Sequence, residues 1–185
     1  RLQDFGSRFL MLDSRREIAE WLAGQFTSYG MTDVRLDSFL CYINWGQVYV
    51  DTLWQYNVIA RLEGTSAPDE IYVIGGHYDS YSGADPYNNA PGADDNGSAS
   101  VATLECARAM MAAGYQPEAT IEFTLFAAEE LGLFGSRYLA QLARYEDRNI
   151  RYVFNMDMIA NNPDSVSYIE VKKYDNAVWA AEVAA

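Results

Sequence analysis

Three apolar runs in this chain end at a residue able to bind a metal or move a proton. Ile71-Tyr-Val-Ile-Gly-Gly leads into His77, with Asp79 two residues on. Ala119 to Ala127 leads into Glu129-Glu130, and Ile150 to Met156 leads into Asp157. Asp95 lies in a stretch rich in Gly, Pro, Asn and Asp, just ahead of a helical pattern. In neighbouring parallel strands the carboxyl ends lie along one edge, so residues distant in sequence meet there. An imidazole nitrogen with carboxylate oxygens and no thiolate suits zinc, with manganese or cobalt as alternatives. Two ions about 3.5–4 Å apart that share a carboxylate hold a bridging water and lower its pKa. Adjacent Glu129 and Glu130 do not both ligate one ion. One binds metal and the other takes the proton from water as general base. Asp79 is placed to steady the His77 ring through its other nitrogen.

Each position also has a structural explanation. Asp94 or Asp95 is suited to cap the helix that begins near Ser98, where the helix dipole favours an acid. Glu129-Glu130 stands in the same relation to a helix from Leu133, Asp157 reads as a strand-end turn residue, and a lone histidine is commonly a satisfied core group. An imidazole and carboxylates at the ends of several buried strands together favour a site over four separate accidents.

The elements that must position these groups follow from periodicity. Residues 2–29 read as helical, with Leu10, Ile18, Trp21, Leu22 and Phe26 at near-helical spacing. Asp13 or Ser14 is a cap candidate, Glu17 completes a capping box with Ser14, and Tyr29-Gly30 is a stop. Val34–Ile43 and Val48–Leu62 read as a hairpin around Asn44-Trp45-Gly46. Thr65–Asp69 reads as a polar turn, Ile71–Ile74 as a strand, and residues 75–97 as a long loop of the kind that carries function. Ser98–Ala113 and Leu133–Tyr145 read as helices. Ala119–Ala127 and Ile150–Met156 read as buried strands, Ser165–Val171 as one more strand, and Asp175–Ala185 as the start of a helix. This alternation predicts an α/β fold: a mostly parallel, mixed central sheet with helices on both faces.

The bulk composition limits the alternatives. A length of 185 residues fits a single domain, 1–185, and half the chain is apolar with 14% aromatic, as in globular proteins. The net charge, 13 − 26 = −13, argues against nucleic acid or an anionic membrane surface as partner. No apolar run approaches the roughly 18 residues of a membrane span. Cys41 and Cys106 form no CxxC pair, so a zinc knuckle or redox motif is excluded and two buried free thiols are expected. Tyr78, Tyr81 and Tyr87 flank the His77 stretch as pocket walls or as packing.

Four ordered motifs, GGHYDS at 75–80, APGADDNGS at 90–98, AAEELGLFGS at 127–136 and NMDMIA at 155–160, resemble the M28 family of zinc aminopeptidases. Asn57-Val58-Ile59-Ala60 and the Phe5-Gly6 region are similar to the family's N-terminal segment. The resemblance implies the phosphorylase/hydrolase-like zinc exopeptidase fold. It implies one zinc on His77 and Asp157, a second on Glu130, Asp95 bridging both, Glu129 as general base, and Asp79 behind His77. It further implies a cis peptide between Asp95 and Asn96, with Asp94 not a ligand. The substrate it implies is a peptide with a free N-terminus, cut at its first bond. The family supplies a further histidine from a later loop, whereas His77 is the single histidine here. Against the family pattern the chain is expected to be C-terminally incomplete, the alternative being a second zinc site that has lost its histidine. The expectations are therefore one zinc held well and the second poorly, and self-association through an uncovered sheet edge. An extracellular or periplasmic location is also expected. A glutaminyl-peptide cyclotransferase-like enzyme and a non-catalytic peptidase-like binding domain are the alternative functions.

Overall fold

The computed structural model describes residues 2–161, so the expected strand at Ser165–Val171 and helix at Asp175–Ala185 lie outside the described residues. A 3-10 turn at Leu2–Phe5 precedes helix α1 (Arg15–Ser28), and strands β1 (Asp33–Trp45) and β2 (Tyr49–Leu62) follow. Next come β3 (Ala67–His77), α2 (Gly97–Ala112), β4 (Ala119–Phe126), α3 (Phe134–Tyr145) and β5 (Ile150–Asn155). The sheet order is β1-β2-β4-β3-β5. β1 pairs with β2, and β2 with β4, antiparallel. β3 lies parallel to both β4 and β5. The sheet is thus mixed, and its parallel part is the part that carries the motifs.

Alternation along the strands separates two apolar layers. Val58, Ala60, Phe123 and Leu125 pack with Ile18, Leu22 and Phe26 of α1 and with Leu104 and Ala107 of α2. Ile59, Ile71, Val73 and Phe126 face the other way, against Leu139 of α3. Each side chain of this kind contributes roughly 1.5–3 kcal/mol when fully buried. Helices therefore cover both faces. α2 carries the crossover from β3 to β4 on one face, and α3 carries the crossover from β4 to β5 on the other. The loops leaving neighbouring strands β3 and β4 diverge to opposite sides, which opens a crevice at their carboxyl ends.

Several elements differ from the reading of the sequence. Residues 6–14 are not helical; helix is confined to α1 and the 3-10 turn. Gly6 takes a positive φ of 67°, and Ser7, Arg8, Phe9 and Leu10 are buried. Ser7 and Arg8 bond to residues 78–92, so tertiary hydrogen bonds override a helical periodicity that is only a weak prior. Ser14 is the N-cap of α1 but makes no side-chain capping bond. β3 starts at Ala67, inside the expected turn, because the Ala67 N–H donates to the Glu118 carbonyl at 2.8 Å; the register then shifts before Ile71. His77 is the last residue of β3 rather than a loop residue. β5 is not buried: it edges the described sheet, and Val153 and Phe154 are exposed. Cys41 is a buried free thiol, whereas Cys106 is only half-buried. Among the described residues, no helix is long and apolar enough to cross a membrane.

One buried charge ties four segments together. Glu122 of β4 is fully buried. It accepts from Arg148 at 2.6 Å and lies 3.6 Å from Arg35 and 4.0 Å from Arg61. Arg148 precedes β5, Arg35 is on β1 and Arg61 on β2. Removing one partner of such a pair strands the other charge in a poorly solvated place. Glu122→Ala is expected to lower unfolding free energy by about 3 kcal/mol in urea titrations. A loss below about 1 kcal/mol would show the network to be surface-like in its energetics.

Candidate metal centre

The end of β3 is set by its glycines. A Cβ on Gly75 would fall inside the carbonyl of Thr124, and one on Gly76 would sit 2.6 Å from the Met156 carbonyl oxygen and 2.7 Å from Ala99 Cβ. Only glycine lets β3 lie this close to β4, α2 and the residue before Asp157. Ser100 Oγ donates to the His77 carbonyl at 2.9 Å and fixes the strand end from α2.

His77 is buried, and its Nδ1 lies 3.1 Å from the backbone oxygen of Asp79. With the Nδ1 proton engaged there, Nε2 is the nitrogen that meets the carboxylates. Nε2 lies 3.2 Å from Asp95, 3.7 Å from Asp157 and 3.8 Å from Glu129. Ligand atoms of His77, Asp95 and Asp157 all lie within 4.8 Å of one another. Bonds of 2.0–2.1 Å in a tetrahedral zinc site put neighbouring ligand atoms about 3.3 Å apart, so this donor set fits zinc. Asp95 and Asp157 are about half exposed, which leaves the cluster open on its outer side.

Each carboxylate is held from behind. Asn96 caps α2 by accepting from the Ala99 N–H, and its Nδ2 donates to the Met156 carbonyl at 3.0 Å. The Met156 N–H donates to the Gly75 carbonyl at 2.8 Å, so Asp157 is flanked by anchors to β3 and α2. The Asp95–Asn96 peptide is cis, as the family resemblance implied. Asp94 turns away to accept from the amides of Ala160 (2.8 Å) and Asn161 (3.2 Å), which gives it a role in holding the chain after Asp157.

Asp79 lies behind the imidazole, with its backbone oxygen and its carboxylate both facing Nδ1. The buried carboxylate accepts from the Glu129 N–H at 2.9 Å and the Glu130 N–H at 3.2 Å, while Oδ1 stays 3.5 Å from Nδ1. Asp79 thereby binds the end of β3 to the turn after β4. Glu130 lies outside the three-residue ligand group, although Asp95, Asp79, His77 and Glu129 all act on its charge. The structure therefore gathers His77, Asp95, Asp157 and Glu129, and leaves Glu130 beside them. Tyr78 is core: it is buried, and its hydroxyl donates to the Tyr56 carbonyl. Tyr81 and Tyr87 pack around Phe9 with Tyr49. Reading the sequence also missed Asn57, whose side chain donates to Gly135 and accepts from Ala127, bracketing Glu129-Glu130. Its place in the Asn57-Val58-Ile59-Ala60 segment was the available signal.

The electrostatics follow from the crowding. Burial pushes Glu130 up, and Asp95 and Asp79 add to it, to about 7. Burial also raises Glu129 and Asp95, and both are tempered by His77. Burial alone would lower His77, but the carboxylates of Asp157, Asp79 and Glu129 outweigh it and lift it to about 11.

A buried imidazole among carboxylates at the switch point of a doubly covered α/β sheet is a donor set able to hold a divalent metal ion. Residues 57–185 match the sequence pattern of peptidase family M28. A probable zinc metalloprotease of Pyrenophora teres f. teres is 36% identical over 175 residues, covering 88% of this chain and 37% of its own length. The Legionella pneumophila LapA aminopeptidase structure is 25% identical with a TM-score of 0.62, covering 85% of this chain and 40% of that one. A glutaminyl cyclase of Tannerella forsythia shares the fold at 21% identity and a TM-score of 0.68, covering 88% of this chain and 60% of that one. The chain belongs to peptidase family M28, and it spans little more than a third of the length of that curated relative.

A metal must displace the proton that the metal-free cluster keeps on His77. Zinc binding at pH 7 is expected to release at least one proton, so affinity rises about tenfold per pH unit between roughly pH 6 and 8. Calorimetry in two buffers of different ionisation enthalpy reads this directly. Heats independent of buffer would mean that His77 carries no proton for the metal to displace at pH 7.

Proposed function

We propose that this chain carries the catalytic metal centre of a zinc-dependent aminopeptidase. The observation that supports this most is the approach of His77 Nε2 to Asp95, Asp157 and Glu129 at 3.2–3.8 Å, at the open edge of the sheet. Family membership supports a peptide substrate. Bound zinc supplies Lewis-acid activation of water and of the scissile carbonyl.

The protein groups divide the remaining work. His77, Asp95 and Asp157 would hold one ion, and Asp95 with Glu130 would be the pair for a second. Glu129 stays uncoordinated and takes the proton from the attacking water, then returns it to the leaving amine. Burial raises Glu129 above the ordinary range of a glutamate, which makes it a better base. Carboxylate surplus at the cluster attracts the protonated amino terminus of a peptide, which restricts cleavage to the first bond.

Glu129→Gln in the zinc-loaded, full-length protein is expected to lower kcat on a leucyl anilide by about 10²–10⁴-fold, with zinc content and KM close to the parent's. Unchanged kcat would remove Glu129 from the role. Release of cyclised product from an N-terminal glutaminyl peptide, without anilide hydrolysis, would favour the cyclotransferase reading.

A further inference from the structure

Arg8 is buried, yet no carboxylate lies within hydrogen-bond distance of it among the bonds described. Its guanidinium spends its donors on three backbone oxygens. Nε donates to Tyr78 at 2.7 Å, Nη1 to Pro91 at 2.7 Å and Nη2 to Gly92 at 2.8 Å. Tyr78 follows His77 and precedes Asp79. Gly92 opens the turn that contains Asp95, and its carbonyl also accepts from the Gly97 N–H at 2.8 Å. One planar group therefore joins the two ends of the 78–92 loop, and a metal ligand stands just outside each joint.

The surroundings make this a fitted contact. The Arg8 N–H donates to Ser80 Oγ at 3.1 Å, the Arg8 carbonyl accepts from the Ser80 N–H at 3.3 Å, and Ser80 Oγ donates to Ala90 at 2.6 Å. Gly92 has a φ of +50°, and a Cβ there would lie 2.9 Å from Arg8 Nη2. Burial weighs against a charge at Arg8, and Asp79, Glu130 and Asp95 offset that cost. These are carboxylates of the candidate metal centre itself, so the guanidinium also brings a fixed positive charge to a strongly acidic cluster.

We propose that Arg8 is a positioning residue for the metal centre: it sets the Asp95 turn against the end of β3, and metal affinity depends on it. The inference rests on the metal-centre reading given above. Supports behind metal ligands commonly govern affinity by 10–100-fold. A lysine keeps the charge but cannot reach three carbonyls in a fixed fork, whereas a methionine keeps the bulk and loses both.

The test compares zinc affinity of the parent, Arg8→Lys, Arg8→Met and Asp95→Asn full-length proteins, by competition with a chromophoric chelator, alongside far-UV circular dichroism. The expected result is about tenfold or greater weakening in Arg8→Met and a smaller loss in Arg8→Lys, with parent-like spectra. Where Arg8→Met fails to fold, Arg8→Lys decides: about threefold weaker zinc with a parent-like spectrum supports the proposal. Parent-like affinity in the folded Arg8 variants, with Asp95→Asn impaired, overturns the role of Arg8 alone. A parent that binds no zinc overturns both the metal centre and this role.

Discussion

The constraint on which this structure depends is the repulsion among carboxylates brought to one sheet edge. Asp79, Asp95, Glu129 and Asp157 lie within 3.8 Å of a single imidazole with Glu130 beside them, and burial makes charge on Asp95, Glu129 and Glu130 more costly. Such a cluster exists only where positive charge and backbone donors are supplied to match. The imidazole of His77, the amides of Glu129 and Glu130 under Asp79, and the guanidinium of Arg8 are what the chain provides. A divalent cation is the natural completion, because it replaces a proton with two charges at the point where the carboxylates converge.

The fold serves that cluster through its parallel half. β3, β4 and β5 run the same way, so His77, Glu129 and Asp157 arrive together, while α2 delivers Asp95 from its N-terminal side. The antiparallel half has a different task. β2 meets β4 only from Val58 to Leu62, and the rest of the hairpin runs on beyond the end of β4 where the site lies. Residues 7–10 pack beneath it, with Gln55 donating to the Leu10 carbonyl. That packing places Arg8 under the loop that shapes the site.

The sequence made the parallel strands legible because apolar runs ending in Gly-Gly-His or Glu-Glu carry both their burial and their terminus. The candidate ligands stood out for the same reason, since each one punctuates a strand or opens a helix. What was not legible depended on contacts distant in sequence. Residues 6–14 carry apolar side chains at helical spacing, but their hydrogen bonds go to a loop some seventy to eighty residues away. Asp79 was legible as a neighbour of His77 by proximity, but not that its carboxylate also serves amides fifty residues on. The exposure of β5 could not be read from its apolar composition, because burial depends on what neighbours a strand.

A zinc ion held by these carboxylates and one imidazole would be visible in a crystal. Zinc-soaked crystals of the protein, with anomalous difference maps collected at the zinc edge, test for it most directly. A strong peak is expected about 2.0–2.2 Å from His77 Nε2 and from oxygens of Asp95 and Asp157. A zinc peak elsewhere with His77 unliganded, or no peak at the sheet edge at saturating zinc, would contradict it.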